Sequence, residues 1–338
     1  MDNVDITQLI NSKDEYDING NNPIAEPYFY LTQIPSNNLS IRNRFLHAFN
    51  ELYHHIENVQ LLELIGEIIS IFHDSSLLID DIEDNSQFRR GMPTAHTKFG
   101  VPLTINCGNL MYFVALQKAQ IDLSNLYGRL HTEVNLDRLK FDTSQILIKE
   151  MLNLHHGQGL DIYWRDYLLQ STEELPSIQD YLQMVKNKTG GLFRLSIKLL
   201  NLFSTEHEDL IPVANLLGII YQIRDDYMNL VSEKYTHMKG MVGEDLVEGK
   251  LSLPILHCLL TTTDSPVRRM ITKTSQEQRN DKKLIDECIS FLHECGSLEY
   301  TKQLLLKYYV EVKKLLEQTG VEVKNTKLMG IIDAMCEV

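Results

Sequence analysis

Two short acidic runs hold the residues best placed for chemistry in this chain. In "SSLLIDDIEDNSQFRRG", Ser75 to Gly91, the carboxylates Asp80, Asp81, Glu83 and Asp84 fall within five positions at the end of an apolar stretch, and Arg89 and Arg90 follow at once. On a helix, His73, Ser76, Asp80 and Asp84 are three, four and four residues apart and stack along one face, with Asp81 about 100° round. Ionised carboxylates at i, i+4 weaken a helix by about 0.2–0.5 kcal/mol, so the ladder makes more sense with a cation between its rungs. Oxygen-only ligands favour Mg²⁺, which is commonly held by one or two carboxylates and completed by phosphate and water.

The device recurs 145 residues later in "LLGIIYQIRDDYMNL", Leu216 to Leu230. Gly218, Tyr221, Gln222, Asp225 and Asn229 follow helical spacing along one face, again ending an apolar run. One such patch reads most simply as solvated surface. Two, neither diluted by lysine, point to facing rungs that hold several Mg²⁺ ions around one polyanion. The basic complement is discrete: Arg89 and Arg90, Lys188 with Thr189 in "NKTGG", and Lys239 and Lys250 after the second run. Arginine forks suit bidentate phosphate contacts and lysines act as point charges, though any one of these lysines alone reads as a solvated charge. "NKTGG" lacks the glycines a P-loop requires before its lysine, and "HHGQGLD" has neither the third glycine nor the preceding strand of a dinucleotide fingerprint.

The elements that must position these groups are helices. Ile65, Ile68, Ile69 and Phe72 follow the i, i+3, i+4, i+7 rule, and alternating strand patterns are scarce. Residues 1–27 are rich in Asn and Asp and read as a flexible N-terminal arm; 28–338 read as one all-α domain of ten or more helices. Polar interruptions at 170–177, 204–209, 232–250 and 261–269 are too short for domain linkers. The 32 Lys and Arg against 46 Asp and Glu give a formal charge of −14, which argues against general attraction to nucleic acid or an anionic membrane. Five cysteines without a Cys-x-x-Cys pair argue against a zinc site or a disulfide framework and favour a reducing, cytoplasmic setting. The acidic start does not read as a signal peptide, no apolar stretch approaches the ~20 residues of a membrane span, and Cys336 stands one residue too close to the end for a prenylation box.

"LLIDDIEDNSQFRRG", "GQGLDIYWRD", "NKTGGLFRL", "IYQIRDDYMNL" and "EDLVEGKLSLPILH" occur in the order and approximate spacing of the trans-isoprenyl diphosphate synthases, which the chain resembles from about Leu39 to His257. It is most similar to the fungal and animal geranylgeranyl type, whose second motif also ends in asparagine, here Asn229. The resemblance implies a large helical bundle of the isoprenoid synthase type around a deep central cavity, usually a homodimer. It implies that Asp80, Asp81, Asp84 and Asp225 bind Mg²⁺, about three ions per site. It assigns Arg89, Lys188, Thr189, Gln222, Lys239 and Lys250 to an allylic diphosphate, and Arg44, His73 and Arg90 to isopentenyl diphosphate. The family's Gly-Lys-x-x-Arg is here Ser40, Ile41, Arg42, Asn43, Arg44, so Ile41 stands at the lysine position and Arg42 is expected to lean in as a substitute.

The implied reaction ionises an allylic diphosphate, expected to be farnesyl diphosphate, and the π-bond of isopentenyl diphosphate attacks head to tail. Departure of a highly charged leaving group calls for preorganised positive charge, here Mg²⁺ with Arg89, Lys188 and Lys250, and needs no side-chain nucleophile. Ser75 and Ser76, about one turn before Asp80, are small where relatives that stop at fifteen carbons usually carry a ring, which points to a twenty-carbon product. Tyr112, Phe113 and His155 are the candidate floor of the chain-length cavity, with plain core packing as the alternative for the two rings. Three other readings stay open: a synthase of another chain length, a non-catalytic partner subunit, and a class I terpene cyclase, which would not need Arg44, His73 and Arg90.

Overall fold

The computed structural model describes residues 7, 10, 18, 22–34, 41–168, 171, 174–232, 242–273 and 275–338. In chain order the elements are α1 (Glu26–Gln33), α2 (Ile41–Phe49), α3 (Val59–Glu83), β1 (Phe88–Arg89), β2 (Met92–Pro93), α4 (Ala95–Phe99), α5 (Val101–Gln117), α6 (Ser124–Leu130), α7 (Leu136–Asp166), α8 (Ile178–Lys188) and α9 (Gly190–Leu202). They continue as α10 (Ile211–Val231), α11 (Glu244–Glu248), α12 (Leu253–Thr261), α13 (Pro266–Ile271), α14 (Gln276–Arg279), α15 (Lys282–Glu294), α16 (Ser297–Gln318) and α17 (Lys327–Cys336). The chain is all-α, as the periodicity predicts. Most of the expected arm, 1–27, lies outside the described residues, as do Ser40 and Lys239.

Helix α3 shows how the sequence builds its walls. Asn58 caps it by accepting Leu61 N–H at 2.9 Å, and Ile65, Ile68, Ile69 and Phe72 are buried as their spacing predicts. Burial of each such side chain is worth about 1.5–3 kcal/mol, enough to hold a polar C-terminal turn on an apolar stem. The stem packs mainly on α5 and α9, α9 on α10, α7 on α8, and α10 on α16. Helix α3 ends at Asp84 because Asn85 takes a φ of 52°. The chain then folds into a hairpin, Phe88 opposite Pro93 and Arg89 opposite Met92, with Arg90 (φ 53°) and Gly91 (φ 78°) in the left-handed conformations that a two-residue hairpin turn demands.

Two glycines allow backbones to touch where the site is assembled. A Cβ on Gly157 of α7 would stand 2.4 Å from Lys188 N, and one on Gly218 of α10 would stand 2.4 Å from Gly190 Cα. Helix α8 starts on a reciprocal cap, Ser177 Oγ accepting Asp180 N–H at 3.1 Å and Asp180 Oδ2 accepting Ser177 N–H at 2.9 Å. The polar interruptions fall at element junctions, except that Glu244–Glu248 forms α11 within 232–250 and α13 begins at Pro266 within 261–269. Among the described residues, no helix is long and apolar enough to cross a membrane.

Candidate active site

The hairpin explains why opposite charge follows the first acidic run so closely. It returns Arg89 onto the end of α3, where Nε donates to both oxygens of Asp81 at 2.8 and 2.9 Å and Nη2 lies 3.4 Å from Asp80 Oδ2. Asp81 is 1% exposed. Burial works against the Arg89 charge, but Asp81 outweighs it and raises the guanidinium pKa. Asp81 is thus the anchor of Arg89, while Asp80 and Asp84 occupy the half-open face.

Helix α7 supplies a polar stripe whose members had no assigned role in the sequence reading. Gln158 Nε2 donates to Asp80 Oδ1 at 3.0 Å and to Glu83 Oε2 at 2.7 Å. Arg165 Nη1 meets Asp84 Oδ1 at 2.5 Å, and its Nη2 donates to Glu83 O at 2.8 Å. Asp161 Oδ2 accepts from Lys188 Nζ at 2.6 Å, and the same ammonium lies 3.8 Å from Asp80 Oδ1. Burial lowers the Lys188 pKa, Asp161 and then Asp80 outweigh it, and the net shift is upward. The carboxylates Asp80, Asp81, Asp84 and Asp161 are ion-paired to Arg89, Arg165 and Lys188, while the Glu83 carboxylate is met by the Gln158 amide. Burial and then Asp80 push the Asp84 carboxyl up to about 6 against the pull of Lys188 and Arg165, and burial raises that of Glu83.

On α10 the two adjacent aspartates part company. Asp226 is buried: Tyr181 OH and Leu253 N–H donate to its Oδ2, the latter at 2.8 Å, and Gln222 Nε2 donates to its Oδ1 at 2.9 Å. Gln222 Oε1 accepts from Thr189 Oγ1 at 2.8 Å, so Gln222 and Thr189, read as diphosphate ligands, tie α8 to α10 on either side of Lys188. Burial pushes the Asp226 carboxyl up to about 7 against the pull of Lys250. Asp225 stands half-buried on the neighbouring face. Asn229 is structural, its Oδ1 accepting Asp245 N–H at 3.2 Å at the start of α11. Lys250 lies 3.6 Å from Asp245 Oδ1; burial lowers its pKa, but Asp245, Asp226 and Asp161 outweigh it and the net shift is upward.

His73 faces a guanidinium, but from an unexpected residue. Arg42 Nη1 lies 2.9 Å from His73 Nε2, whereas Arg44 is exposed. Burial and then the Arg42 charge press the imidazole pKa well below its ordinary value, so the ring is neutral and accepts. Arg90, in the hairpin turn, acts on the same imidazole electrostatically. The two serines also separate. Ser76 is half-buried with Oγ on His73 O at 2.7 Å, while Ser75 is fully buried with Oγ on Ile71 O at 2.6 Å and its carbonyl toward Gly108 of α5. One turn before Ser76, Phe72 and Tyr112 rings lie 6.1 Å apart, and Tyr112 meets His155 at 5.6 Å. Phe113 is outside this group, 70% exposed beside Leu110, Val114 and Gln117.

The donor set suits a hard divalent ion: its ligands are carboxylate oxygens, and burial, with Asp80 beside it, raises the Asp84 carboxyl, as burial raises that of Glu83. Among the described residues no three His, Cys, Asp or Glu are already gathered as a metal cage. Mg²⁺ needs only one or two carboxylates when phosphate and water complete its shell.

A helical bundle in which buried Lys188 meets the first aspartate run and buried Lys250 acts electrostatically on Asp84 of the first run and Asp226 of the second has the architecture of enzymes that handle prenyl diphosphates. The sequence matches the polyprenyl synthetase family over residues 21–292, and the chain belongs to that family of prenyltransferases. It is 40% identical to a geranylgeranyl pyrophosphate synthase of Penicillium canescens, across 97% of this chain and 90% of that one. A geranylgeranyl pyrophosphate synthase of Macrophomina phaseolina is 39% identical across 92% and 89%, and one of Fusarium fujikuroi 39% across 93% and 69%.

Proposed function

We propose that the chain is a geranylgeranyl diphosphate synthase, joining isopentenyl diphosphate head to tail with an allylic diphosphate, farnesyl diphosphate foremost, to a twenty-carbon product. The observation that carries this reading is the convergence of Asp80, Gln158, Asp161 and Lys188 through contacts of 2.6 to 3.8 Å across α3, α7 and α8, with Asp84 beside them held by Arg165 of α7 at 2.5 Å. Asp80, Asp84 and Asp225 would hold Mg²⁺, which when bound supplies the charge that draws off the diphosphate. Lys188 and Lys250, both held protonated, present ammonium groups to the same leaving group, and Lys239 joins them in this reading. Asp81 orients Arg89, and Arg165 limits the repulsion between Asp84 and Asp80. The Phe72 and Tyr112 rings shield the developing cation from water and, with His155, limit the tail.

A homodimer fits the exposed apolar positions Val101, Ile105 and Phe113 on α5 and Phe141, Ile148 and Leu152 on α7, which recur at helical spacing. Five free cysteines are compatible with a reducing compartment, and we place the enzyme in the cytoplasm. The test supplies farnesyl diphosphate with and without radiolabelled isopentenyl diphosphate and Mg²⁺ and identifies the lipid chromatographically. A labelled twenty-carbon alcohol after dephosphorylation, dependent on all three, is expected. A cyclic hydrocarbon formed without isopentenyl diphosphate would overturn the reading.

A further inference from the structure

The short helix α14 grips the backbone of two other elements at once. Ser275 caps it, accepting Gln278 N–H at 3.3 Å, and Gln276 and Arg279, three residues apart, are neighbours on its surface. Gln276 Nε2 donates to Asp84 O at 2.9 Å, at the end of α3, and its Oε1 accepts from Asn85 Nδ2 at 3.1 Å. Arg279 holds α11 instead. Its Nε donates to Val247 O and its Nη2 to Glu248 O, each at 2.7 Å, while Nη1 donates to Lys273 O at 2.6 Å. All three contacts are to backbone, and burial, then the nearby Arg165 charge, lowers the guanidinium pKa, so the group fixes geometry rather than attracting an anion.

Lys250 follows directly on this clamp. Helix α11 stops at Gly249, whose φ of 82° is the left-handed conformation of a helix terminus, and the N–H groups of Gly249 and Lys250 both return to Asp245 O, at 3.0 and 2.9 Å. The carbonyls of Val247 and Glu248 are the orphans of this helix end, and Arg279 takes both. A Cβ on Gly249 would stand 3.0 Å from the guanidinium carbon and 3.2 Å from each terminal nitrogen, so the flat face of the arginine lies against the turn that launches Lys250. At the far end of the strut, Asp84 feels the charge of Lys250. We propose that α14 sets the position of Lys250 relative to Asp84: Arg279 is a positioning residue for the ammonium, acting through the Gly249 turn, and Gln276 for the carboxylate, acting through the end of α3. This rests on the reading above, in which both groups serve the diphosphate of the allylic substrate.

The experiment compares wild type, R279A, R279K, Q276A and R269A by kcat, by KM for each substrate and by calorimetric titration with inorganic pyrophosphate in magnesium chloride. R269A is the control, an exposed arginine of α13 paired with Asp264 and Glu287 at 3.2 Å. R279A should lower kcat by roughly tenfold to a hundredfold, as expected when a catalytic group shifts by about 1 Å. It should also weaken farnesyl diphosphate and pyrophosphate together, with the isopentenyl diphosphate KM unchanged. Added guanidinium ion should restore part of the R279A turnover, Q276A should act in the same direction but less, and R269A should match wild type. If R279A misfolds by circular dichroism, R279K and R279Q carry the same comparison. Unchanged farnesyl diphosphate KM and pyrophosphate affinity in the folded variants, a rise shared equally by both substrates, or a loss that guanidinium does not reduce would overturn the proposal. A wild type that makes no prenyl product yet loses pyrophosphate affinity in R279A would sink the functional reading and leave the strut standing. Prenyl product formed equally well by wild type and R279A would do the reverse.

Discussion

Replacing Gly157 by alanine sets two effects of opposite sign against each other. In the interior of α7 the change gains about 0.8–1.0 kcal/mol of helix propensity. The new Cβ, however, would lie 2.4 Å from Lys188 N and 2.9 Å from both Lys188 Cα and Met184 O, all backbone atoms. Ordinary contact begins near 3.4 Å, so α8 must move off α7 by about 1 Å, and overpacking of that kind typically costs about 1–3 kcal/mol. The net expectation is a loss of up to about 2 kcal/mol. The displacement falls where Lys188 Nζ meets Asp161 Oδ2 at 2.6 Å, and a misplacement of about 1 Å at a catalytic group can cost ~100-fold in rate. Gly330→Ala in α17 is the control: a Cβ there meets nothing within 4 Å, so stability should rise by most of the propensity term and turnover should not change. Urea unfolding followed by circular dichroism, with turnover on farnesyl and isopentenyl diphosphates, reads both quantities. If Gly157→Ala matches Gly330→Ala in both, the glycine contact does not set the position of Lys188.

Asp226→Asn tests the buried carboxyl. Folding raises its pKa from the ordinary 3.8 to about 7, so the folded state keeps a proton that the unfolded chain gives up, and wild-type stability falls as pH rises across that window. The stability of wild type minus that of the variant should therefore drop by up to about 4 kcal/mol between pH 4 and pH 7 in metal-free urea titrations; a flat difference would contradict the burial. Ser76→Phe should shorten the product from twenty carbons to fifteen in a radiolabel assay, whereas Ser75→Phe, at a fully buried position, should first disturb folding. Leu152→Asp should yield a monomer by light scattering if the α5 and α7 face joins two copies.

Periodicity carried the helices because apolar spacing is a local signal: Ile65, Ile68, Ile69 and Phe72 mark the buried side of α3 without reference to any partner. What it leaves open is helix phase at junctions. Neighbours on a helix stand about 100° apart, so Asp225 and Asp226, or Tyr112 and Phe113, look alike in sequence yet face different surroundings once α10 meets α8 and α5 meets α3. Arg42 and Arg44 differ for the same reason, the packing of Ile41 and Phe45 fixing which arginine turns inward. The fate of Asp81 depends on a hairpin turn that returns Arg89, a long-range closure that spacing does not encode. Gln158, Asp161 and Arg165 do carry a signal, spaced three and four apart on one face of α7, but their partners lie on α3 and α8 and emerge only from packing.

The contribution of the second aspartate wall to diphosphate departure is most directly read in Asp225→Asn, which keeps the side chain's shape and removes its charge. Single-turnover transfer of radiolabelled isopentenyl diphosphate to farnesyl diphosphate, measured across a Mg²⁺ titration, should show the rate falling by roughly 10²–10³ and the half-saturating Mg²⁺ concentration rising, with the helical signal intact. A variant that turns over at the wild-type rate with an unchanged Mg²⁺ requirement would mean that α10 does not act on the leaving group.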